Sequence, residues 1–307
     1  MATFNVRKSI VVEAPVERVF DTVRDFSKWT PWSPWLLAEP DCQPELSTDG
    51  KGYTWSGQIV GAGENLIIAE DPPEAIRYRL IFLKPWKSVA DVSFHFKRQG
   101  GSTEVTWSMQ SSLPFFLFWM RSMMAAFIGM DYERGLLMLK DYVETGTVPS
   151  KLDFLGPTTS PPRHYLGIRN ASSIAGIGER LRHDFTRLRE WMHENGCEPA
   201  GKRFTLYQRF NCVKGTTAYT AACPIARPVP RVPPGFIVGD LPEMKVYTIH
   251  HTGAYRHLGN VWAAGSMHER AKRFHQIKKL PPFEIYENEP ELTDEADLET
   301  TVCFPMR

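Results

Sequence analysis

Apolar residues in the first half of the chain change their spacing three times. An alternating run over residues 4–12 predicts a strand, and a helix with an apolar stripe every three or four positions begins at Pro15. Alternation then returns in four runs, separated by turns rich in Gly, Asp, Pro and Ser, that contain Trp55, Tyr78, Phe94 and Trp107. A long apolar helix follows over about 116–145. This order predicts a curved antiparallel sheet closed by one long helix.

The second half of the chain contains an internal repeat. The segment FTLYQRF at 204–210 aligns without a gap with FEIYENE at 283–289, and TTAYTAACPI resembles ETTVCFPM further along. A predicted helix precedes each pair, over 178–195 and about 257–277, and a strand precedes each helix. We therefore expect a duplicated βαββ unit with both helices on one face of a joined sheet, and a groove between the repeats on the other face.

The segment between the two halves has the composition of a linker. Residues 147–163 are rich in Pro, Ser, Thr and Gly. The expected organisation is therefore a first domain over 1–146, this linker, and a second domain over 164–307. The fold class is α+β in both domains.

Charge and cysteine usage narrow the functional classes. The chain has 36 Lys and Arg against 35 Asp and Glu in 307 residues, so it lacks the basic surplus of a nucleic-acid-binding protein. Its five cysteines are scattered and never form a C-x-x-C pair, and the N-terminus has no apolar signal segment, which favours a cytoplasmic protein. The apolar stretch 113–130 contains Arg121 and continues into a charged helix, which argues against a membrane span.

Residues 9–35, SIVVEAPVERVFDTVRDFSKWTPWSPW, resemble the opening of the polyketide cyclase/START-like superfamily, also called SRPBCC. The ending IGMDYERGLLMLKDYVE is similar to the final helix of that family. The resemblance covers nearly all of residues 1–150. It implies a helix-grip fold, in which a curved antiparallel sheet wraps one long helix and an apolar small molecule binds between them.

Residues 163–307 resemble the effector-binding domain of bacterial multidrug-sensing activators and the related gyrase-inhibitor-like proteins. The matching segments are DLPEMKVYTIHHTGAY, PPFEIYENEP and ETTVCFPM. The resemblance implies a groove for small, often cationic or aromatic compounds, and it places the buried glutamate of that family at Glu284. No helix-turn-helix segment accompanies these motifs in the sequence.

Glu284 is the leading candidate for a functional residue. Strand alternation puts Glu284 and Tyr286 on one face and Phe283 and Ile285 on the other, so Glu284 faces the groove if Phe283 and Ile285 pack on the helices. A carboxylate in an aromatic pocket pairs with a cation, or acts as a general acid or base when desolvation raises its pKa. A solvent-exposed glutamate in an acidic segment is the alternative interpretation.

Aromatic residues complete the candidate sites. Tyr207 and Tyr286 occupy matching positions in the repeats, and Tyr255 and Trp262 flank the second predicted helix, so these four are candidate walls of the groove beside Glu284. In the first half, the apolar-face residues Trp55, Tyr78, Phe94 and Trp107 are candidate cavity-lining residues. Ordinary core packing remains open for each of these rings.

The sequence predicts no metal site and no cofactor. His250 and His251 are neighbours on a strand and point to opposite faces, and GAGENL and GIGERL lack the third glycine of a dinucleotide fingerprint. Small-molecule binding, sensing or sequestration without a DNA-binding module is therefore the leading function. The alternatives are hydrolysis of electrophilic or toxic compounds with Glu284 as the catalytic residue and, less favoured, lipid handling at a membrane through 113–130.

Overall fold

The computed structural model describes residues 2–229 and 231–307. The chain forms two compact units, one containing the residues up to Pro149 together with Ser266–Ala271 from the end of one helix, and the other containing Ser150–Gly265 and Lys272–Arg307. Each unit is an antiparallel sheet with helices packed on it, which confirms the α+β class. None of the helices in the described residues combines the length and the apolar character that crossing a membrane requires.

The first unit is one seven-stranded antiparallel sheet with a long helix. Its elements are β1 Ala2–Val12, α1 Val16–Arg24, β2 Glu45–Leu46, β3 Gly52–Ser56, β4 Ala62–Asp71, β5 Ala75–Lys84, β6 Ser88–Gln99, β7 Ser102–Leu113 and α2 Arg121–Thr145. The strands are ordered β1-β7-β6-β5-β4-β3-β2, so the first strand closes on the last and the others follow as a meander. This is the predicted helix-grip arrangement.

The long helix begins later than its apolar pattern predicts. Residues Phe115–Met120 form a short 3-10 segment, because the backbone at Leu117 leaves helical angles, and α2 starts at Arg121. Gly146 ends the helix in the left-handed region, with φ at 83°, and its N–H donates to the Tyr142 carbonyl. The buried face of α2 includes Tyr132, Leu136 and Leu139, which belong to the core of the sheet.

The second unit is one eight-stranded sheet built from the two repeats. Its elements are β8 Ser150–Ser160, β9 Arg163–Ser173, α3 Ile177–Glu194, β10 Phe204–Asn211, β11 Thr216–Pro224, β12 Ile237–Leu241, β13 Met244–Gly253, α4 Gly259–Arg270, β14 Phe283–Tyr286 and β15 Glu299–Pro305. The strand order is β12-β9-β11-β10-β14-β15-β13-β8. The βαββ repeats β9-α3-β10-β11 and β13-α4-β14-β15 therefore meet at β10 and β14 in the centre of the sheet. The helix α4 is shorter than predicted, and Lys272 just beyond it has a φ of 60°, outside the helical range.

The prediction that residues 147–163 form a linker is wrong in part, because this segment contains the strand β8. Residues Ser150 to Ser160 pair antiparallel with β13, and Gly156, whose φ is 74°, sits at the register shift that lets Leu155 bulge outward. The strand lies at the edge of the sheet, which is the position where a strand proline such as Pro157 is tolerated. Each repeat thus has a leading strand, β8 or β12, that pairs with the first strand of the other repeat.

Candidate functional site

The candidate site of the second unit lies where the two repeats join. Strands β10 and β14 pair with Thr205 opposite Glu284, and the alternation of each strand turns Tyr207 and Tyr286 to that same face. The site therefore takes equivalent positions from the two copies of the repeat and places them side by side. Glu284 is 2% exposed, so the solvent-exposed alternative does not hold.

Three side chains donate hydrogen bonds to the Glu284 carboxylate. Trp262 on α4 donates its indole N–H to Oε1 at 2.6 Å. The hydroxyls of Tyr207 and Tyr286 both donate to Oε2, each at 2.8 Å. The hydroxyl of Tyr286 also lies 3.0 Å from Thr205 Oγ1. The structure thus brings Glu284 together with Tyr207, Tyr286 and Trp262, and ligand binding by these residues stays a prediction.

Burial dominates the electrostatics of this cluster. It raises the pKa of Glu284 above the ordinary value, although the three hydrogen bonds favour the ionised form and lower the pKa in part. Burial and the adjacent carboxylate raise the pKa of Tyr207 and Tyr286 well above the usual value for tyrosine. Both phenols therefore remain protonated donors at any physiological pH. When ionised, the buried carboxylate attracts a cation strongly, because its surroundings screen charge poorly.

Tyr255 and Arg203 extend the aromatic cluster on the far side of Tyr286. The Tyr255 ring meets the Tyr286 ring edge-on at a centroid distance of 5.7 Å. The Arg203 guanidinium lies 5.7 Å from the centroid of that same ring and 5.3 Å from the centroid of Phe185. The Arg203 side chain thus makes cation–π contacts with the rings of Tyr286 and Phe185. Arg203 was not predicted from the sequence, where its only signal is its place one residue before β10.

The groove residues lie on the helix-bearing face of the sheet, so the expected arrangement of faces is wrong. Tyr286 packs in the cluster formed by the apolar side of α3, including Phe185 and Leu188. Phe283 packs instead on the opposite face, in a cluster with Phe204. The expectation failed because both faces of β14 carry a large apolar ring, so alternation alone separates the faces without saying which one the helices cover.

The cavity candidates of the first unit lie in one aromatic cluster. Tyr78 and Phe94 are fully buried and Trp107 nearly so. Trp29 packs among them, with its ring centroid 5.7 Å from Tyr78, 6.2 Å from Phe94 and 6.5 Å from Trp107. Trp55 is half-buried and contacts Tyr53 and Phe82 at the edge of this cluster. Ligand binding by these four residues stays a prediction.

Several buried polar atoms in this aromatic cluster make no hydrogen bond within the described residues. They are Trp32 Nε1, Trp107 Nε1 and the Tyr132 hydroxyl. The Trp107 and Tyr132 rings stack at a centroid distance of 4.0 Å, which holds their polar atoms in the same region. Burial raises the pKa of Tyr132 well above its usual value, although the Trp107 side chain beside the hydroxyl lowers it in part, so the hydroxyl is a protonated donor. Such groups are costly to bury without a partner.

Histidine and carboxylate side chains form no metal-binding arrangement in the part of the chain that the structure describes. His251 is buried with Nε2 3.1 Å from Ser150 Oγ, whereas Nδ1 of the half-buried His250 lies 3.1 Å from Thr301 Oγ1.

Two family models match the chain, one to each sheet. Residues 3–144 match the family described as polyketide cyclase/dehydrase and lipid transport. Residues 158–307 match the GyrI-like small molecule binding domain. The chain is a polyketide-cyclase-like domain fused to a GyrI-like domain. No curated protein matches it.

Solved structures that resemble parts of this fusion are distant in sequence. The EcmrR chain of an EcmrR–DNA complex is 14% identical, with a TM-score of 0.45, over 61% of this chain and 65% of its own length. The protein TTHA0849 from Thermus thermophilus is 17% identical over 47% of this chain and 99% of its own, with a TM-score of 0.36. Aha1 from Colwellia psychrerythraea, a dimer, is 17% identical over 47% and 98%, with a TM-score of 0.35.

Proposed function

We propose that the GyrI-like domain binds small aromatic compounds that carry a positive charge, with Glu284 as the counter-ion. The observation that carries this proposal is the fully buried carboxylate held by Trp262, Tyr207 and Tyr286. A buried carboxylate whose pKa is raised by desolvation gains most from a ligand that restores positive charge beside it. Hydrogen-bond donors already occupy both oxygens, so a neutral donor group adds little.

The side of the site that admits the ligand is the Tyr207–Trp262 side. These two rings are half-buried and meet edge-to-face at 4.8 Å, whereas Glu284 and Tyr286 behind them are buried. A flat cation that stacks on the ring of Tyr207 or Trp262 lies close to the Glu284 carboxylate. It is attracted both by this carboxylate and by the face of the aromatic ring. Within this chain the domain is joined to a polyketide-cyclase-like domain, and we assign it sensing or sequestration of the compound.

A matched pair of ligands tests the charge requirement. Phenyltrimethylammonium and a neutral tert-butyl isostere have nearly the same shape and differ in charge. Titration of the full chain, followed by Trp fluorescence, should show saturable binding of the cation at least about tenfold tighter than that of the isostere. Equal affinity for the two compounds would contradict the proposal.

Hydrolysis of a strained electrophile is the second candidate for the same site. It draws on the raised pKa of Glu284, which suits a carboxylate that takes a proton from water. Release of product from an electrophilic candidate, measured with the wild-type chain and with Glu284→Gln, separates this reaction from binding alone. Turnover that depends on Glu284 favours the enzyme, and binding without turnover favours the sensor.

For the polyketide-cyclase-like domain, we propose an apolar ligand that also carries a hydrogen-bond acceptor. The support comes from the buried Trp32 indole N–H and Tyr132 hydroxyl, two donors that an acceptor from a ligand would satisfy. The variant Tyr132→Phe keeps the ring and removes one donor. It should weaken such a ligand by roughly fivefold to tenfold, and leave a pure hydrocarbon unaffected.

A further inference from the structure

One end of the polyketide-cyclase-like domain exposes a set of large apolar side chains, the aromatic rim. Its most exposed members are Phe115 at 78%, Phe116 at 72%, and Trp119 and Trp86 at 65% each. The full set is Leu83, Trp86, Val89, Phe115, Phe116, Phe118, Trp119 and Phe127. Scattered exposed apolar residues are ordinary on proteins, but a contiguous group of this kind marks an interaction surface.

Strand pairing brings the two segments of the rim together. Ala90 at the start of β6 pairs with Ser111 near the end of β7, and Ser111 Oγ donates to the Val89 carbonyl at 3.4 Å. The β5–β6 hairpin, which carries Leu83, Trp86 and Val89, therefore lies beside the chain that leaves β7. That chain is the 3-10 segment with its four exposed rings.

The two segments that form the rim carry charge of one sign, although Glu64 of the neighbouring strand β4 lies opposite Ile81. Residues 81–90 and 111–130 contain Lys84, Lys87 and Arg121, and neither segment contains an aspartate or a glutamate. All three cations are exposed. Exposed aromatic rings interspersed with exposed cations are complementary to a surface that is apolar inside and anionic outside.

The exposed apolar surface does not continue along the rest of α2. Beyond its first turns the helix is buried through Tyr132, Leu136 and Leu139, and Glu133 forms an ion pair with Lys8 of β1. The apolar surface is therefore a shallow tip made of the 3-10 segment, the first turns of α2 and the β5–β6 hairpin. A tip of this depth fits the headgroup region of a bilayer, where Trp and other amphipathic rings accumulate.

We propose that the aromatic rim docks the protein onto anionic lipid bilayers, with the rings at the headgroup–acyl boundary and Lys84, Lys87 and Arg121 against lipid phosphates. This surface uses none of the residues around Glu284. Membrane docking and the binding function of the GyrI-like domain therefore stand or fall separately.

Co-sedimentation with vesicles tests the docking. The full chain should bind vesicles of phosphatidylcholine mixed with phosphatidylserine, and bind pure phosphatidylcholine vesicles much more weakly. The triple variant Phe115→Ser, Phe116→Ser, Trp119→Ser should lower the partition coefficient at least about tenfold. The triple variant Lys84→Gln, Lys87→Gln, Arg121→Gln should lower it by a similar factor at low salt and by less at high salt, because salt screens the attraction.

Matched controls change the same number of exposed residues elsewhere. Phe210, Val213 and Leu292 are exposed apolar residues of the GyrI-like domain, and their triple Ser variant should bind vesicles like the wild type. Arg7, Arg77 and Arg79 are exposed cations of the same sheet, and their triple Gln variant is the control for charge.

The proposal is overturned if the chain does not bind anionic vesicles, or if the rim variants and the control variants lose vesicle binding equally. It is also overturned if light scattering shows that the rim variant converts a dimer to a monomer while vesicle binding is unchanged, because the rim then covers a second copy of the chain. Circular dichroism spectra and thermal melting curves report whether each variant remains folded.

Discussion

Trp262 and Glu284 form the hydrogen bond that connects the second helix of the GyrI-like domain to the centre of its sheet, at 2.6 Å from Nε1 to Oε1. Both tyrosine donors lie on the other oxygen, so Trp262 supplies the donor to Oε1. We therefore expect a ligand that enters beside Trp262 to affect the position of α4 and the charge of Glu284 together, as the proposed sensing function requires.

Tyr207→Phe should raise the pKa of Glu284 further. The substitution removes one of two donors to Oε2 and keeps the ring that packs on Trp262. We also expect the free energy of unfolding to fall by about 1–2 kcal/mol, since a buried acceptor loses a partner. The pKa is measurable by carbon-13 NMR titration of the carboxyl group. The control variant is Tyr165→Phe, which changes a tyrosine on the opposite face of the sheet and should leave the pKa of Glu284 unchanged. An unchanged Glu284 pKa in Tyr207→Phe would argue against the hydrogen bond.

His251 should make the GyrI-like domain sensitive to acid. Burial, with help from the neighbouring His257 and His250, lowers its pKa to about 4 from the ordinary 6.5. The folded state therefore binds fewer protons than the unfolded state, so stability is full above pH 6.5 and falls as the pH drops towards 4. The loss should reach about 3 kcal/mol.

Urea unfolding at a series of pH values measures this loss. In His251→Gln the acid-dependent step should shrink, because Gln does not titrate, whereas His193→Gln, at an exposed position, should retain it. If His251→Gln has the same pH profile as the wild type, another group causes the acid sensitivity.

The strand β8 should be required for a stable GyrI-like domain. A fragment that starts at residue 164 lacks β8 and leaves the backbone of β13 unpaired along its outer edge. A fragment that starts at residue 147 retains the pairing. We expect the shorter fragment to unfold at a lower temperature and to aggregate more readily, as measured by differential scanning calorimetry and light scattering. Equal melting temperatures would show that β8 contributes little.

The strand positions of Tyr207, Glu284 and Tyr286 were predictable from the sequence. The gapless alignment of FTLY with FEIY placed Tyr207 and Tyr286 in equivalent positions, and strand alternation placed Glu284 on the face of Tyr286. Both inferences depend only on the period of a strand, which does not change with the surroundings.

Features that depend on distant pairing were not predictable in this way. The segment that forms β8 has the composition of a linker, and it becomes a strand because β13, far along the chain, offers an open edge. Strand β4 was not predicted, because its segment NLIIAE does not alternate between apolar and polar residues. The segment becomes a strand by pairing with β3 and β5 on either side. The position of Arg203 over Tyr286 likewise depends on tertiary packing and leaves no local pattern.

The central claim, that Glu284 is the counter-ion of a cationic ligand, is tested most directly by isothermal titration calorimetry of Glu284→Gln. Gln keeps the shape of the side chain and its ability to hydrogen-bond, and removes the negative charge. Phenyltrimethylammonium should lose about 30-fold in affinity or more, about 2 kcal/mol, while the neutral isostere binds as to the wild type. An unchanged affinity for the cation in Glu284→Gln would contradict the account.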